Sequence, residues 1–182
     1  MPLATWKIDP SHSSLGFSVR HMVVSKTRGR FTRWSGQIRF DPDDVHASSV
    51  EVEIDPASVD TSDAQRDEHL RSPDFFDVQK FPAASFRSSK VEDVGGNRYR
   101  VTGELTVHGV TLPVVLETTY EGSGKDPWGG ERAGFIATAS IDRKDYGLHW
   151  NKALETGGLL VGEKVDLILE VEAIKQLAQK AA

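Results

Sequence analysis

The sequence predicts an all-β fold, an antiparallel barrel of about eight strands that carries one short helix. Three observations predict it. Apolar and polar residues alternate with a period of two from end to end, turn-forming residues separate the alternating stretches at even intervals, and one stretch alone has the start and stop signals of a helix. Strands with one wet face each fit a sandwich as well as a barrel, and the even spacing favours the barrel.

The strands follow in order. Thr5 to Ile8 is strand-like, then Leu15, Phe17 and Val19 share a face, as do Ile38 and Phe40, and Val50, Val52 and Ile54. Tyr99, Val101, Leu105 and Val107 form another row, followed by Leu112, Val114 and Leu116, and finally Val165, Leu167, Leu169 and Val171. Asp9-Pro10, Asp41-Pro42, Gly95-Gly96-Asn97, His108-Gly109 and the stretch Gly122 to Gly130 are the turn signals between them. These boundaries place strands near 4–9, 14–22, 28–41, 48–55, 83–91, 98–107, 112–121, 132–142 and 163–173.

The helix lies around Arg66 to Ser72. Ser62 is placed to cap it and Gln65, three residues on, to complete a capping box, with Asp63 at the positive end. Asp67 and Arg71 form an acid-then-base pair four apart, and Ser72, disfavoured in the α region by Pro73, ends the helix. Apart from Ala64 and Leu70 nothing on it is apolar, so it has no stripe with which to join a core and is expected on the surface. Phe75 and Phe76 follow at once and need burial, so the polar helix is tethered beside an apolar opening as a lid or rim.

At 182 residues the chain is expected to form a single domain over 4–174, with 175–182 as a frayed helical tail. A net charge of -5 and no Lys/Arg cluster argue against nucleic acid. The absence of Cys excludes disulfides, thiolate metal sites and Cys nucleophiles. No apolar run approaches the ~20 residues of a membrane-spanning helix, and the amino terminus has no basic segment and apolar run of a secretory signal, so the expected location is cytoplasmic.

One strand departs from the pattern. In Ala133, Phe135, Ala137, Ala139 and Ile141 the inward face is mostly alanine, and Gly103 is an equally small member of the neighbouring row. Either large residues opposite fill the gap, as the small/large alternation of small barrels allows, or the row lines a ligand cavity. The balance leans slightly to the cavity.

Several ordered motifs resemble one family: Trp6-Lys7-Ile8-Asp9-Pro10-Ser11-His12-Ser13, Phe17-Ser18-Val19-Arg20-His21, Arg28-Gly29-Arg30-Phe31, Arg66 to Phe76, Phe81-Pro82, Gly103 to Thr111, and Arg143-Lys144-Asp145-Tyr146-Gly147-Leu148. Together they are similar to the YceI-like lipid/polyisoprenoid-binding family, in order from Trp6 to about Ala173. The resemblance implies an extended, lipocalin-like, eight-stranded antiparallel β-barrel whose interior holds the tail of an isoprenoid lipid or quinone. Many members carry a secretory signal.

If the strands run as an up-and-down meander, their connections alternate between the two ends. The turn after Met22, the 56–82 segment, the His108 turn and the 143–162 loop then share one rim, and the Pro10, Pro42, Gly95 and Gly122 to Gly130 connections share the other. Four of the six histidines, His21, His69, His108 and His149, fall on the first rim. The residues expected to contact a ligand are Phe17, Val19, His21, Phe31, Arg66, Phe75, Phe76, Phe86, Leu105, Val107, His108, Phe135, Ala137, Ala139, Tyr146, Trp150 and Leu167. No short-range His pattern of a metal site is present, and a quinone or phosphate head bonded by His or Arg fits the rim better. Arg66 with Asp67, and Arg143 with Asp145, read first as structural ties to backbone amides and carbonyls. No cofactor is required. The expected partner is an apolar small molecule, and exposed edges with lid aromatics also leave room for a homodimer.

Catalytic patterns are weak. Asp9, Ser11 and His12 supply the residue types of a hydrolase triad without a nucleophile elbow. Gly122-Ser123-Gly124-Lys125-Asp126 lacks phosphate-loop spacing and reads as a flexible loop, and Glu51 and Glu53 read as solvated charges on an outward strand face. The expectation is a carrier rather than an enzyme, the alternative being an enzyme that works on an apolar substrate with rim His and Asp groups.

Overall fold

The computed structural model describes residues 3–177. Alternation builds the strands β1 (Ala4–Ile8), β2 (Ser14–His21), β3 (Ser25–Phe31), β4 (Trp34–Phe40), β5 (Ser49–Ile54) and β6 (Val59–Asp60). The helix α1 (Ala64–Arg71) follows, then β7 (Ala84–Gly95), β8 (Arg98–Val107), β9 (Val110–Lys125), β10 (Glu131–Asp142) and β11 (Val161–Lys175). Hydrogen bonding runs β1-β4-β5-β7-β8-β9-β10-β11 and returns from β11 to β1, an eight-stranded antiparallel barrel that leaves no open seam there.

The three remaining strands prolong members of that ring. β11 pairs with β1 through Ala173 to Lys175 and with β2 through Val161 to Glu170, so β1 and β2 are two pieces of one interrupted strand. β3 and β4 are likewise two pieces, pairing with β2 and β1 in turn, and β6 continues β5 by pairing with β3. The Pro10 turn is therefore not a reversal, as the sequence led us to expect. Its Asp9-capped 3-10 turn over Pro10–His12 bulges out while the chain keeps its direction, because Glu172 of β11 holds both flanks: its carbonyl accepts from the Asp9 N–H and its N–H donates to Ser13 Oγ.

The other connections fall as parity predicts. Residues 22–24, 61–83, 108–109 and 143–160 meet at one end, called the upper rim, and 41–48, 96–97 and 126–130 at the lower. The lower end is plugged by Phe40, Tyr99, Tyr120 and Phe135, whose ring centroids lie 5.2–5.7 Å apart in tilted and edge-to-face pairs.

Local details differ from expectation. The N-cap of α1 is Asp63, whose carboxylate accepts from Arg66 N–H at 3.0 Å, while Ser62 takes a left-handed conformation just before it. Asp67 does not pair with Arg71. It is buried and accepts from Thr61 N–H at 2.9 Å and Thr61 Oγ, while Arg71 reaches Glu68 and the carbonyls of Ala57 and Val59. Residues 122–125 are not a flexible loop but the end of β9, paired with Glu131 to Gly134 of β10. Lys175, expected in the tail, closes β11 opposite Trp6; residues 178–182 of that tail lie outside the described residues. Among the described residues no helix is long and apolar enough to cross a membrane.

Candidate functional site: an apolar cavity in the barrel

A cavity of about 360 Å³ occupies the barrel, within the usual size range of small-molecule sites. Its walls are the inward rows: Ile8, Leu15, Phe17 and Val19 from β1 and β2, Ile38 and Phe40 from β4, Val50, Val52 and Ile54 from β5, and matching residues from β7 to β11. The wall is almost wholly apolar; Arg20, His21, Thr27, Thr61, Arg66, His69 and Arg143 stand at its upper end, and Arg39, Ser48 and Thr118 at its lower end.

Two aromatic groups shape this mouth. Phe17, Phe31 and Phe76 stack in a chain with centroid spacings of 5.5 and 5.7 Å. His69, Phe75 and Trp150 form a second cluster, in which the imidazole plane is nearly perpendicular to both rings at centroid distances of 5.1 and 4.7 Å. His69 is fixed from its other side by Asp74, at 2.8 Å from Nε2. The polar helix α1 thus places His69, Leu70 and Arg66 at the opening, as the lid reading anticipates.

Arg66 is held by Thr61: Nε donates to the hydroxyl at 2.8 Å and Nη2 to the carbonyl at 2.7 Å. Arg143 is 4% exposed and donates to the carbonyls of Leu148 and Trp150 in the loop and of Val161 and Gly162 at the start of β11, so it braces the loop against the barrel. Burial lowers its pKa, with Glu163 and Asp142 opposing at longer range. Burial likewise raises the pKa of the Tyr146 phenol, helped by Asp145.

Fifteen of the seventeen expected contact residues stand in the cavity wall: Phe17, Val19, His21, Phe31, Arg66, Phe75, Phe76, Phe86, Leu105, Val107, Phe135, Ala137, Tyr146, Trp150 and Leu167. His108 and Ala139 do not. The His108 ring packs on Phe81 at 4.5 Å and its Nδ1 donates to the Tyr146 carbonyl, which commits it to fastening the 108–109 turn to the neighbouring loop. Ala139 lies opposite Leu167, and the longer chain reaches the cavity past a methyl group that is half-buried against the core. Gly103 is small for the other of the two reasons weighed above: a Cβ there would stand 2.5 Å from the Phe86 ring, which lies over it. Sequence reasoning passed over His69, Thr61, Leu148 and Leu160 as wall residues. The signal for His69 was available, since it precedes the Phe75-Phe76 pair on the one helix.

Outside the barrel, Asp9, Ser11 and His12 do come together, but Ser11 Oγ and Asp9 both approach His12 Nδ1, at 3.1 and 2.9 Å. A proton relay needs the nucleophile and the acid on different imidazole nitrogens. Asp9, His12 and Glu172 also cluster closely enough to hold a cation. The guanidinium of Arg132 already fills that role, reaching Asp9 at 3.0 Å, Asp126 at 3.1 Å and Glu172.

Comparison with known proteins agrees with this architecture. A UPF0312 protein of Vibrio cholerae is 40% identical over 166 residues, which cover 91% of this chain and 84% of that one. The crystal structure of Burkholderia cenocepacia BcnA superposes with a TM-score of 0.81 at 27% identity, covering 91% of this chain and 98% of that one. A domain from Saccharophagus degradans, described as polyisoprenoid-binding and implicated in plant cell wall breakdown, shares the fold with a TM-score of 0.67 at 18% identity over 96% of this chain and all of its own. The YceI-like domain family matches residues 6–173, and the closed eight-stranded barrel agrees with its solved relatives, so the chain belongs to the YceI-like domain family.

Proposed function

We propose that the chain binds one long, flexible apolar molecule, an isoprenoid lipid or isoprenoid quinone, with its tail in the barrel and its polar head at the upper rim. The observation that carries this reading is the cavity itself: a wall of aliphatic and aromatic side chains, closed below by four aromatic rings and bordered above by His21, Arg66 and His69. Burying apolar surface in such a space is favourable at about 25 cal/mol per Å², whereas a polar metabolite would lose its water without finding partners. Membership of a family that resembles lipid binders supports the same reading. No cofactor is needed for it. The reading is that of a carrier, supported by a cavity wall of aliphatic and aromatic side chains that suits an apolar tail.

Extraction of the purified protein with organic solvent, followed by melting, tests the proposal. A ligand bound only to the folded state stabilises it by mass action, about 2.7 kcal/mol at a hundred times Kd. Stripped protein is expected to melt lower and to recover when a long-chain isoprenoid quinone is added. Equal melting before and after extraction, with no gain from any long-chain isoprenoid, would overturn the reading.

A further inference from the structure

The β2–β3 reversal at the upper rim presents three consecutive apolar side chains to solvent. Met22, Val23 and Val24 are 44%, 64% and 82% exposed. Beside them stands Leu159, 43% exposed, on a neighbouring reversal held to the tip by the Met22 N–H to Leu160 carbonyl bond of 2.9 Å. The backbone there is costly. Met22 and Val23 have φ of 54° and 66°, the left-handed region that Gly or Asn enters with least strain and a β-branched residue with most. A strained reversal that keeps apolar side chains at its outermost point, where Asn-Gly would relieve the strain and hide nothing, is what a contact surface requires.

The charge around the tip is mostly positive, with one carboxylate, Glu155, on the reversal that carries Leu159. Arg20 and Lys26 face each other across the two strands just below it, and Lys152 lies on the neighbouring loop. Among the described residues none of the three is in ion-pair contact with a carboxylate, though Lys26 acts on Asp166 at longer range. The lower rim provides a contrast: Trp128 is 83% exposed there, but its backbone N–H is held by the Asp126 carboxylate, and Glu131 follows closely. Apolar side chains beside three cations outside ion-pair contact and one carboxylate, on a chain of net charge -5, match an anionic lipid headgroup layer and not a generic surface.

We propose that residues 22–24, with Leu159, form a membrane-docking tip: their side chains enter the headgroup region of an anionic bilayer, Arg20, Lys26 and Lys152 meet lipid phosphates, and the mouth of the cavity is set down on the membrane. The docking goes beyond the binding reading and does not depend on what the cavity holds. It makes the membrane the site of ligand exchange.

The test is sedimentation of the full chain with vesicles of phosphatidylcholine containing about a quarter phosphatidylglycerol, beside vesicles of phosphatidylcholine alone. The wild type is expected to bind the anionic vesicles more tightly, and to lose that advantage in high salt. Val23→Asn combined with Val24→Ser is expected to lower vesicle affinity at least about tenfold while the melting temperature holds or rises, since Asn tolerates the left-handed backbone better than Val. Lys26→Gln with Lys152→Gln is expected to weaken binding to anionic vesicles only, and Trp128→Ala to leave it unchanged. Quinone titration of stripped protein without vesicles should be the same for the Val23/Val24 variant and the wild type, which separates this proposal from the binding reading. Wild type that sediments with neither vesicle, or a Val23/Val24 variant that binds as wild type does, overturns the proposal. So does a variant whose only change is loss of a dimer in the absence of vesicles, which would give the patch to a second copy of the chain.

Discussion

Arg143 shows how single residues hold the mouth in shape. Its guanidinium is buried, and its donors are spent on the carbonyls of Leu148 and Trp150, in the loop that carries these residues into the cavity wall, and of Val161 and Gly162 at the start of β11. Arg143→Met is expected to leave those carbonyls short of donors and to cost about 3 kcal/mol or more in urea unfolding, with Arg143→Lys recovering only part because an ammonium cannot fork between carbonyls. Unchanged stability in the Met variant would mean that the loop stands without the brace. This bridging role was legible in the sequence, as was the placement of Phe75 and Phe76, because each follows from local chemistry: an Arg beside a turn, and two adjacent aromatics after a polar helix. The fate of His108 was not legible, since it depends on Phe81 and on the Tyr146 carbonyl, 38 residues away. Nor was the choice between Asp63 and Ser62 as cap, which the left-handed backbone at Ser62 settles.

At the scale of elements, Arg132 at the start of β10 joins the ends of β1 and β11 and the 126–130 turn through Asp9, Glu172 and Asp126. Asp9 is held well below the usual carboxylate range, first by the Ser11 hydroxyl, then by His12 and Arg132, against the opposing effect of burial. Asp126 is lowered by the Gly130 N–H and by Arg132, again against burial. A carboxylate whose folded pKa is lowered adds stability above its unfolded value, near 3.8, and that contribution is lost as the pH falls toward the folded value. The wild type should therefore lose stability as the pH drops below about 4. Arg132→Met should be less stable at neutral pH and show a flatter acid limb in denaturant melts taken across pH; an acid limb of unchanged slope would place the acid sensitivity elsewhere. This tie was invisible in the sequence because Arg132 and Asp9 are 123 residues apart and meet only when β11 closes the ring.

The alanine row of β10 belongs to the same scale. Bulk added to a packed interior costs about 1–3 kcal/mol, whereas bulk placed in open apolar space has room. Ala137 faces the cavity, so Ala137→Phe is expected to leave the stability of stripped protein near wild type while quinone affinity falls at least about tenfold, a loss of ~1.4 kcal/mol. Denaturant melts paired with titration decide it, and destabilisation with unchanged affinity would show a packed site away from the ligand. The row itself could be read from the sequence. That it included Ala137 and not Ala139, and that Gly103 was small for the sake of the Phe86 ring, required the register between strands.

For the whole molecule, parity carried most of the information. Alternating rows gave the inward faces, the reversals between them gave two rims, and four of the six histidines with Phe75, Phe76, Tyr146 and Trp150 sorted to the upper one, where His21, Arg66, His69 and Arg143 line the cavity. The interruptions of the strands escaped this logic, since Asp9-Pro10 looks like any reversal until β11 is seen to pair on both sides of it. What emerges is a barrel closed around its circumference, stoppered by aromatics below and bordered by His21, Arg66 and His69 above. Native mass spectrometry of freshly purified protein tests that account most directly. It should show one copy of an apolar species, of a mass fitting an isoprenoid lipid or quinone, bound per chain, and organic extraction should remove it. A bare chain mass from fresh protein, still bare after incubation with a long-chain isoprenoid quinone, would contradict the account.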